Sequence, residues 1–431
     1  MQLALPIFEN SDKNIEYNSI HRNHATFKAG LGRAVHNWFR LTPSFGPSLV
    51  RIILEEFKFD KTKVVLDPFA GAGTTLIECK ILGLKSYGFE INPFLHFVGK
   101  TSLDWSLSID RLEKLAFEID ALFRKKQIVF KNLKCEDLPC SLPTIHNVYN
   151  WWRADVLKDL LLLKASIQDV TNGIYEGYRN FFFLCLAGVL VPDLTNVTLG
   201  RLQLHFIDRS KDVIEVYKTF STHLARMLKD YKQVTCFNGL IATNIFHVDS
   251  TELNEFELND KIDFVITSPP YPNRYSYVWN TRPFLYFLDF FSKAEEASNL
   301  DKKSIGGTWG TATSILAKGI LEPINDAVKV HVAPITSEVR KKDNLMANYV
   351  MKYFNQLAKQ IIVMDRFLAP EVKVAYVVGN SRIKDVYIET DWVLSKIFSD
   401  LDLGYKKTRI NRFRKRNSGE NLFESIVYAE K

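Results

Sequence analysis

The sequence contains few cysteines, and those that occur form no recognisable framework. Its 431 residues include five, Cys79, Cys135, Cys140, Cys185 and Cys236. None belongs to a C-x-x-C motif or has the Cys/His spacing of a zinc site, and an odd, scattered set does not build a disulfide scaffold. We therefore expect no structural metal, no disulfides and a reducing, cytoplasmic environment.

Long apolar runs and targeting signals are also lacking. The longest apolar candidate, "FFFLCLAGVLVP" at 181–192, is shorter than the roughly 18 residues of a membrane span and predicts a buried helix. The N-terminal "MQLALPIFENSDKN" has neither a basic segment nor a small-residue cleavage site, which argues against a secretory signal. With 46% hydrophobic and 24% charged residues, the chain can bury a large core as one elaborated domain or two.

Hydrophobic periodicity predicts an α/β sheet interrupted by helices. "KVVLDPFAGAGTTLIECKILGLKSYGFEINP", from Lys63 onwards, predicts a strand, a glycine loop, a helix and a second strand. Such a βαβ unit implies a mostly parallel sheet covered by helices on both faces. Residues 105–235 have mainly helical spacing, and strand-type runs return in "KIDFVITSPP" and "VKVAYVVGNS". We predict a large helical insertion inside one sheet.

The glycine loop in "VVLDPFAGAGTT" is a candidate ligand site. Gly71 and Gly73 allow a sharp turn and close approach to a ligand, and the helix that begins at Thr74 and Thr75 offers unpaired N–H groups. Glu90, at the end of the next strand, is placed to accept hydrogen bonds from ribose hydroxyls. Nicotinamide, flavin and S-adenosylmethionine all remain possible ligands. The missing third glycine, where Leu76 stands, and the acid Asp67 argue against a dinucleotide and favour a ligand with a cationic end.

The segment "TSPPYPNRY" at 267–275 follows the apolar run "IDFVI". An exocyclic amino group is a poor nucleophile and needs two acceptors for its hydrogens. Ser268 and the carbonyl of Pro269, held rigid because proline fixes φ, could be that pair, with Pro270 next to them. Tyr271 could stack on a base, which is worth about 1–3 kcal/mol and offsets part of the energy of flipping a nucleotide. The segment is interpreted as a clamp for a planar ring that carries an amino group.

Together, these motifs resemble those of the S-adenosylmethionine-dependent DNA amino-methyltransferases of restriction–modification systems. "DPFAGAGTT" is similar to the family's cofactor motif, and "TSPPY" to its catalytic motif (D/N/S)-P-P-(Y/F/W). More weakly, "FRLTPSFGPSLVRII" resembles a segment that packs near the methionine part of the cofactor. "HVDSTEL" resembles the segment whose acid, here Asp249, binds the adenine amino group.

The resemblance implies a Rossmann-like methyltransferase fold and a cytoplasmic prokaryotic enzyme. It would methylate double-stranded DNA, beside a possible companion restriction endonuclease. Serine at the first clamp position is typical of enzymes that methylate N4 of cytosine, so Ser268 favours that base over N6 of adenine. The resemblance implies that S-adenosylmethionine is held by a set of loop and strand-end residues: Asp67, Phe69, Gly71, Gly73, Thr74, Thr75, Glu90 and Asp249.

Four alternative functions make different demands on the sequence. A cytosine-C5 methyltransferase needs a nucleophilic cysteine after proline, but Pro139–Cys140 lacks the flanking context. A nicotinamide oxidoreductase leaves "TSPPY" without a role. A catalytically silent DNA-binding subunit is expected to have lost part of the loop or the clamp, and both are intact. An RNA amino-methyltransferase stays open because the same clamp can serve RNA bases.

The expected organisation has three parts. Residues 1–104 form an N-terminal arm and the cofactor-binding half, residues 105–240 the insertion with possible target recognition, and residues 241–431 the catalytic half. Within the last part, the polar, glycine-bearing region 293–345 is expected to form loops that contact DNA, including Thr308 and Trp309.

Several further residues are candidates for DNA contacts or for structural roles. The net charge is +7, and "KKTRINRFRKR" at 406–416 is its densest basic run. Lys406, Arg409, Arg412 and Arg414 either neutralise phosphates or lie on a solvated strand edge. Arg274 and Tyr275 either touch DNA or form loop surface. Trp151 and Trp152 are expected in the core, and His36 and His247 are expected to be structural.

Overall fold

The computed structural model describes residues 15–17, 26–42, 44–200, 203–236, 241–307, 311–415 and 422–431. These described ranges contain twelve strands: β1 Ile15–Glu16, β2 Val64–Asp67, β3 Lys85–Glu90, β4 Val197–Leu199, β5 Leu204–Phe206, β6 Thr243–His247, β7 Ile262–Thr267, β8 Leu368–Gly379, β9 Ser381–Ile383, β10 Val386–Ile388, β11 Lys407–Lys415 and β12 Phe423–Glu430. Most of the arm predicted at the N-terminus, and also Thr308, Trp309 and Arg416, lie outside the described residues.

Fourteen α-helices accompany these strands in the described part of the chain: α1 Pro47–Glu56, α2 Thr74–Leu82, α3 Pro93–Ser102, α4 Ile109–Val129, α5 Val148–Trp151, α6 Ala154–Val170, α7 Glu176–Leu190, α8 Val216–Val234, α9 Tyr277–Phe287, α10 Ala294–Lys303, α11 Thr311–Leu316, α12 Asp326–Arg340, α13 Asn344–Met364 and α14 Thr390–Asp400. Short 3₁₀ helices cover Phe27–Gly30, Cys135–Asp137 and Asp365–Phe367.

An eight-stranded sheet has the order β1-β11-β12-β8-β7-β2-β3-β6. Strands β8, β7, β2, β3 and β6 are mutually parallel, whereas β12 is antiparallel to both β8 and β11. After β2 the chain moves to one side, through β3 and β6, and then returns to the other side at β7. The β2–β7 boundary is therefore the switch point, where parallel α/β sheets bind ligands at the carboxyl ends of their strands.

Both faces of the sheet are buried, because side chains alternate along each strand. Leu66 and Val265 join a core formed with helices α12, α13 and α14, while Val65 and Ile266 join another core formed with α1. The predicted Rossmann-like methyltransferase fold, with helices on both faces of a mostly parallel sheet, is confirmed.

The helical insertion leaves and re-enters the sheet at neighbouring strands, since β3 and β6 pair directly in parallel. Between them lie α3 to α8 and a small β4–β5 hairpin that the sequence analysis did not predict. A separate apolar core fills the insertion and includes Trp151 and Trp152, which are 4% and 0% exposed. These two tryptophans are core residues, as expected.

The region 293–345 differs from its prediction, because much of it is helical. Helices α10, α11 and α12 occupy most of its described residues. Their apolar residues, such as Val328 and Val332, are buried against α13 and α14. Loops were predicted because the first part of this region is polar and contains glycine, and composition alone does not indicate helices packed on a neighbouring helix.

Three arginines of the basic run at 406–416 do not support its interpretation as a phosphate-binding surface. Most of the run is β11, which is covered by β1 and β12 on either side. Arg412 is 8% exposed and donates to Asp391 and Glu389 at 2.8 and 2.7 Å. Arg409 pairs with Glu16 and Glu56, and Arg414 pairs with Glu424. These arginines neutralise carboxylates of the protein itself.

Candidate active site

The glycine loop connects β2 to α2 through two residues with positive φ. Gly71 has φ +53° and Gly73, the residue before the helix, has φ +87°. Side chains with a Cβ rarely adopt this conformation, so both positions favour glycine. The N–H of Gly71 donates to Glu90 Oε2 at 2.8 Å. The turn thereby links the first strand of the βαβ unit to the end of its second.

Asp67 lies behind this loop and is not among the residues that line the cavity at the loop. It is 1% exposed, and its oxygens accept from Thr267 Oγ1 at 2.5 Å, Thr75 Oγ1 at 2.6 Å and the N–H of Phe69 at 3.0 Å. Burial raises the pKa of Asp67 to about 6. The expectation that Asp67 lies near the cationic end of a ligand therefore needs correction. Its position suits it to tie β2, β7 and the glycine loop together.

Glu90 ends β3 on the wall of the cavity. Oε1 accepts from the N–H of Asn92 and Oε2 from that of Gly71, both at 2.8 Å. Burial, only partly offset by these two backbone donors, raises the pKa of Glu90 to about 7. The fixed carboxylate keeps further lone pairs for hydroxyl groups of a ligand.

Asp249 follows β6, the next strand outwards, and lines the same cavity. Its Oδ1 accepts from both the N–H and the hydroxyl of Thr251, at 2.9 and 2.8 Å. Because β3 and β6 are adjacent and parallel, Glu90 and Asp249 lie at the same edge of the sheet. Two acids are thus available for the polar edges of one extended ligand.

The "TSPPY" segment begins as β7 ends, directly beside β2. Ser268 donates its hydroxyl hydrogen to the carbonyl oxygen of Val377 on β8, at 3.2 Å. A serine that donates its only hydroxyl hydrogen in this way keeps its oxygen as an acceptor. The ring of Tyr271 packs on Gly379, where a Cβ would lie 2.7 Å from two ring carbons. That glycine makes room for the ring at the end of β8.

One cavity joins the two motifs. Its open space is about 920 Å³, solvent at the mouth included. Of the predicted site residues, Phe69, Gly71, Thr74, Glu90, Asp249, Ser268 and Pro270 line it. Asp67, Gly73, Thr75, Pro269 and Tyr271 are not among the lining residues but lie within the same two motifs. The glycine loop and the proline segment therefore face each other at the switch point of the sheet.

A strap formed by residues 33–42 and 44–45 covers the glycine loop and was only partly anticipated from the sequence. Leu41, Ser44 and Phe45 line the cavity, in agreement with the resemblance noted for "FRLTPSFGPSLVRII". The strap also reaches the catalytic side, because the hydroxyl of Tyr275 donates to the carbonyl oxygen of Thr42. Tyr275 is 7% exposed, so neither of its two alternative roles, contact with DNA or loop surface, is supported.

Glu78, which the sequence analysis missed, anchors the strap to α2. This fully buried carboxylate accepts from His36 Nε2 at 2.8 Å and from Arg33 Nη1 at 3.4 Å, and it also pairs with Arg51. Burial would raise its pKa, but the hydrogen bond and charge of His36, together with Arg51, bring the pKa of Glu78 below its ordinary value. A glutamate on the buried face of the helix after the glycine loop was the available signal. His36 is structural, as expected.

Two features do not occur in the described part of the chain. No helix there is long and apolar enough to cross a membrane. No group of three or more His, Cys, Asp or Glu side chains there is arranged to hold a metal ion.

The strand order and the shared cavity define an α/β enzyme of the methyltransferase type. The family model for N6 and N4 methyltransferases, whose description is DNA methylase, matches residues 13–98. The type II methyltransferase M.MvaI of Kocuria varians is 26% identical over 380 residues, 83% of this chain and 80% of that protein. M.BsoBI of Geobacillus stearothermophilus is 24% identical over 449 residues, 94% of this chain and 86% of that protein. These comparisons support a DNA methyltransferase that is similar to the N6/N4 amino-methyltransferases and, over most of its length, to type II methyltransferases.

Among solved structures, the rRNA methyltransferase aviRa from Streptomyces viridochromogenes is 10% identical, with a TM-score of 0.33 over 94% of this chain and 92% of that one. The assignment of the fold rests on the strand order and not on this superposition.

Proposed function

We propose that the protein transfers a methyl group from S-adenosylmethionine to N4 of a cytosine flipped out of duplex DNA. The observation that carries the proposal is the single cavity at the β2–β7 boundary, lined by both the glycine loop and the proline segment. A cofactor-binding loop and an amine clamp need this arrangement, since the methyl donor and acceptor must meet in line. As part of a restriction–modification system, the enzyme would protect sites that a companion endonuclease cuts.

The residues of the cavity fit S-adenosylmethionine. Glu90 and Asp249 offer carboxylates at the ends of neighbouring strands. Glu90 would accept from the ribose hydroxyls, and Asp249 from the adenine amino group. Phe69 and Leu41 supply apolar walls, and Gly71 brings the backbone close to the ligand. S-adenosylmethionine supplies an electrophilic methyl group whose bond to sulfur breaks as the new N–C bond forms.

The proline segment would hold the acceptor base. The Ser268 oxygen, whose hydrogen is engaged by Val377, would accept one amino hydrogen, and the Pro269 carbonyl would accept the other. This pair restrains the amino group and favours the pyramidal geometry in which its lone pair can attack. One amino hydrogen leaves as a proton after methylation. Tyr271 would stack on the base, and serine at position 268 supports cytosine over adenine.

The test is to express the protein in a host without DNA methylation and to map modified bases by single-molecule sequencing. We expect N4-methylcytosine at one recurring sequence. N6-methyladenine at a recurring sequence would keep the amino-methyltransferase activity but overturn the choice of base. Methylation of RNA alone, with unmodified DNA, would overturn the proposed substrate.

Cofactor affinity is expected to depend on pH through Glu90. Because burial raises the pKa of Glu90 to about 7, the carboxylate forms only as pH rises through this value. Affinity should therefore increase from pH 5.5 to 7.5, by up to about tenfold per pH unit below the pKa, and then level off. Isothermal titration calorimetry at several pH values measures this dependence.

Ionisation of Glu90 should raise cofactor affinity but lower the folding stability of the protein without cofactor. A pKa raised on folding gives stability that is complete below the unfolded pKa and is lost as pH rises through the folded pKa. Without cofactor, the contribution of Glu90 to stability should therefore fall between about pH 4.5 and 7. Glu90→Gln should flatten the change in cofactor affinity. An affinity that does not vary between pH 5.5 and 7.5 would contradict this role of Glu90.

A further inference from the structure

One face of α13 carries amide side chains that hold the backbone of a neighbouring loop. Asn344, Asn348 and Asn355 are four and seven residues apart, which places them on the same side of a helix. Each bonds to the backbone of residues Leu316–Ile324, a segment named here the clamped loop. It joins the end of α11 to the start of α12.

Asn348 is the central contact and is 1% exposed. Its Nδ2 donates to the carbonyl oxygens of Leu316 and Gly319 at 2.9 and 3.1 Å, and its Oδ1 accepts from the N–H of Leu321 at 3.0 Å. Arg340 also donates to this Oδ1, at 3.2 Å. The side chain spans the turn of the loop around Gly319, whose φ is +62°.

The other two asparagines hold the turn and the far end of the loop. Asn344 Nδ2 donates to the carbonyl oxygen of Gly319 at 2.9 Å. Asn355 makes a paired contact, in which Nδ2 donates to the Glu322 carbonyl at 2.8 Å and Oδ1 accepts from the Ile324 N–H at 2.9 Å. Beyond the buried Leu316, the path of the loop is therefore set by side chains of α13 that bond to its backbone.

Leu316, at the start of the clamped loop, is buried, but most of the side chains after it point into solvent, although several are apolar. Ile320 is 63% exposed, Ile324 47% and Leu321 36%, and Lys318 between them and α11 is exposed as well. A surface loop usually does the reverse and exposes polar groups. A fixed backbone with exposed apolar side chains is the arrangement expected where those side chains contact a partner.

The same helix connects the clamped loop to the cavity. Tyr349, next to Asn348 in sequence, accepts from the N–H of Arg274 in the loop after the proline segment, at 3.0 Å. One turn further along, Lys352 Nζ donates to the carbonyl oxygens of Lys302 and Gly307, at 2.9 and 3.3 Å. Residues 303–305, within that stretch, line the cavity. Adjacent turns of α13 therefore hold both the clamped loop and segments at the cavity.

We propose that the clamped loop contacts duplex DNA beside the flipped base and takes part in selecting the sequence that is methylated. This inference rests on the proposed function, because DNA must enter the cavity for the loop to reach it. Apolar side chains distinguish bases by contact with the thymine methyl group in the major groove. Ile320 and Leu321 would make such contacts, and Asn348 would act on selectivity by positioning them.

The experiment compares the wild-type protein with Ile320→Ala/Leu321→Ala in methylation of a plasmid library of randomised sites, read by single-molecule sequencing. We expect kcat/KM at the preferred sequence to fall at least tenfold, and the preference over singly changed sequences to fall with it. Asn348→Asp keeps the size of the side chain but removes the donor to Leu316 and Gly319, and it should relax selectivity in the same direction. Thermal melting of both variants verifies that they fold.

Ile128→Ala is the matched control, because Ile128 is 77% exposed on α4 in the insertion. It should leave both rate and preference unchanged. Unchanged rate and preference in the double variant would overturn the inference. An equal loss at every sequence would also overturn it, since it would mean that the loop grips DNA without reading it. If the wild-type protein fails to methylate DNA at all, the proposed function fails first, so the two failures are distinguishable.

Discussion

Replacing Ser268 with alanine is expected to lower the rate of methyl transfer about 100-fold while leaving cofactor affinity unchanged. The estimate follows the loss seen when one preorganised polar contact to a reacting group is removed. Ser268 suits that role because its hydroxyl hydrogen is held by the Val377 carbonyl at 3.2 Å, which leaves the oxygen to accept. Single-turnover methylation at saturating DNA and cofactor measures the chemical step, and calorimetry measures cofactor binding.

The matched control is Ser399→Ala, on the exposed end of α14. It should leave both quantities as in the wild-type protein. An undiminished single-turnover rate in Ser268→Ala would exclude this side chain as an acceptor for the amino hydrogen. A parallel loss of cofactor affinity would mean that the substitution disturbs the whole cavity.

Gly379→Ala tests the position of the Tyr271 ring, which packs on Gly379. A Cβ at position 379 would lie 2.7 Å from ring carbons of Tyr271, so the ring has to move. We expect weaker DNA binding and slower transfer, as for Tyr271→Ala, while Tyr271→Phe keeps the ring and most of the activity. Full activity of Tyr271→Ala on duplex DNA would show that the ring does not stack on the base.

The βαβ unit and the helical insertion could be predicted from the sequence, because both depend on local periodicity. The glycine loop and the proline segment were found because few residue types suit a turn with positive φ or a rigid strand exit. Their meeting in one cavity depends on the strand order, which places β7 beside β2 although their sequences lie about two hundred residues apart.

The errors arose where a residue type has two physical uses. Asp67 was expected to lie near the ligand, but its carboxylate oxygens accept hydrogen bonds from three groups of the protein itself. The basic run of β11 was a candidate for DNA contacts, but its carboxylate partners, such as Asp391 and Glu16, are distant in sequence. The position of Glu78 on the buried face of its helix was a signal in the sequence, but its partners His36 and Arg51 are set by the packing of separate segments. The contacts of the asparagine row of α13 are set in the same way, and no signal in the sequence indicated them.

Replacing Glu90 is expected to have the second large effect, on cofactor binding. Hydrogen bonds to a charged acceptor contribute about 1.5–3 kcal/mol each. Loss of both ribose contacts should therefore weaken binding of S-adenosylmethionine by roughly 100-fold or more. Glu90→Ala also leaves the N–H groups of Gly71 and Asn92 without the carboxylate that each donates to at 2.8 Å. The glycine loop should then lose part of its order.

Glu90→Gln separates these two contributions, because the amide keeps one acceptor oxygen and nearly the same size. It should bind the cofactor less tightly than the wild-type protein but more tightly than Glu90→Ala, and its rate at saturating cofactor should stay near that of the wild-type protein. Glu252→Gln, an exposed acid close to Asp249 but outside the cavity lining, controls for the lost negative charge. If calorimetry gives Glu90→Ala the affinity of the wild-type protein, Glu90 does not hold the ribose. The cofactor would then have to bind elsewhere than at the carboxyl edge of β3.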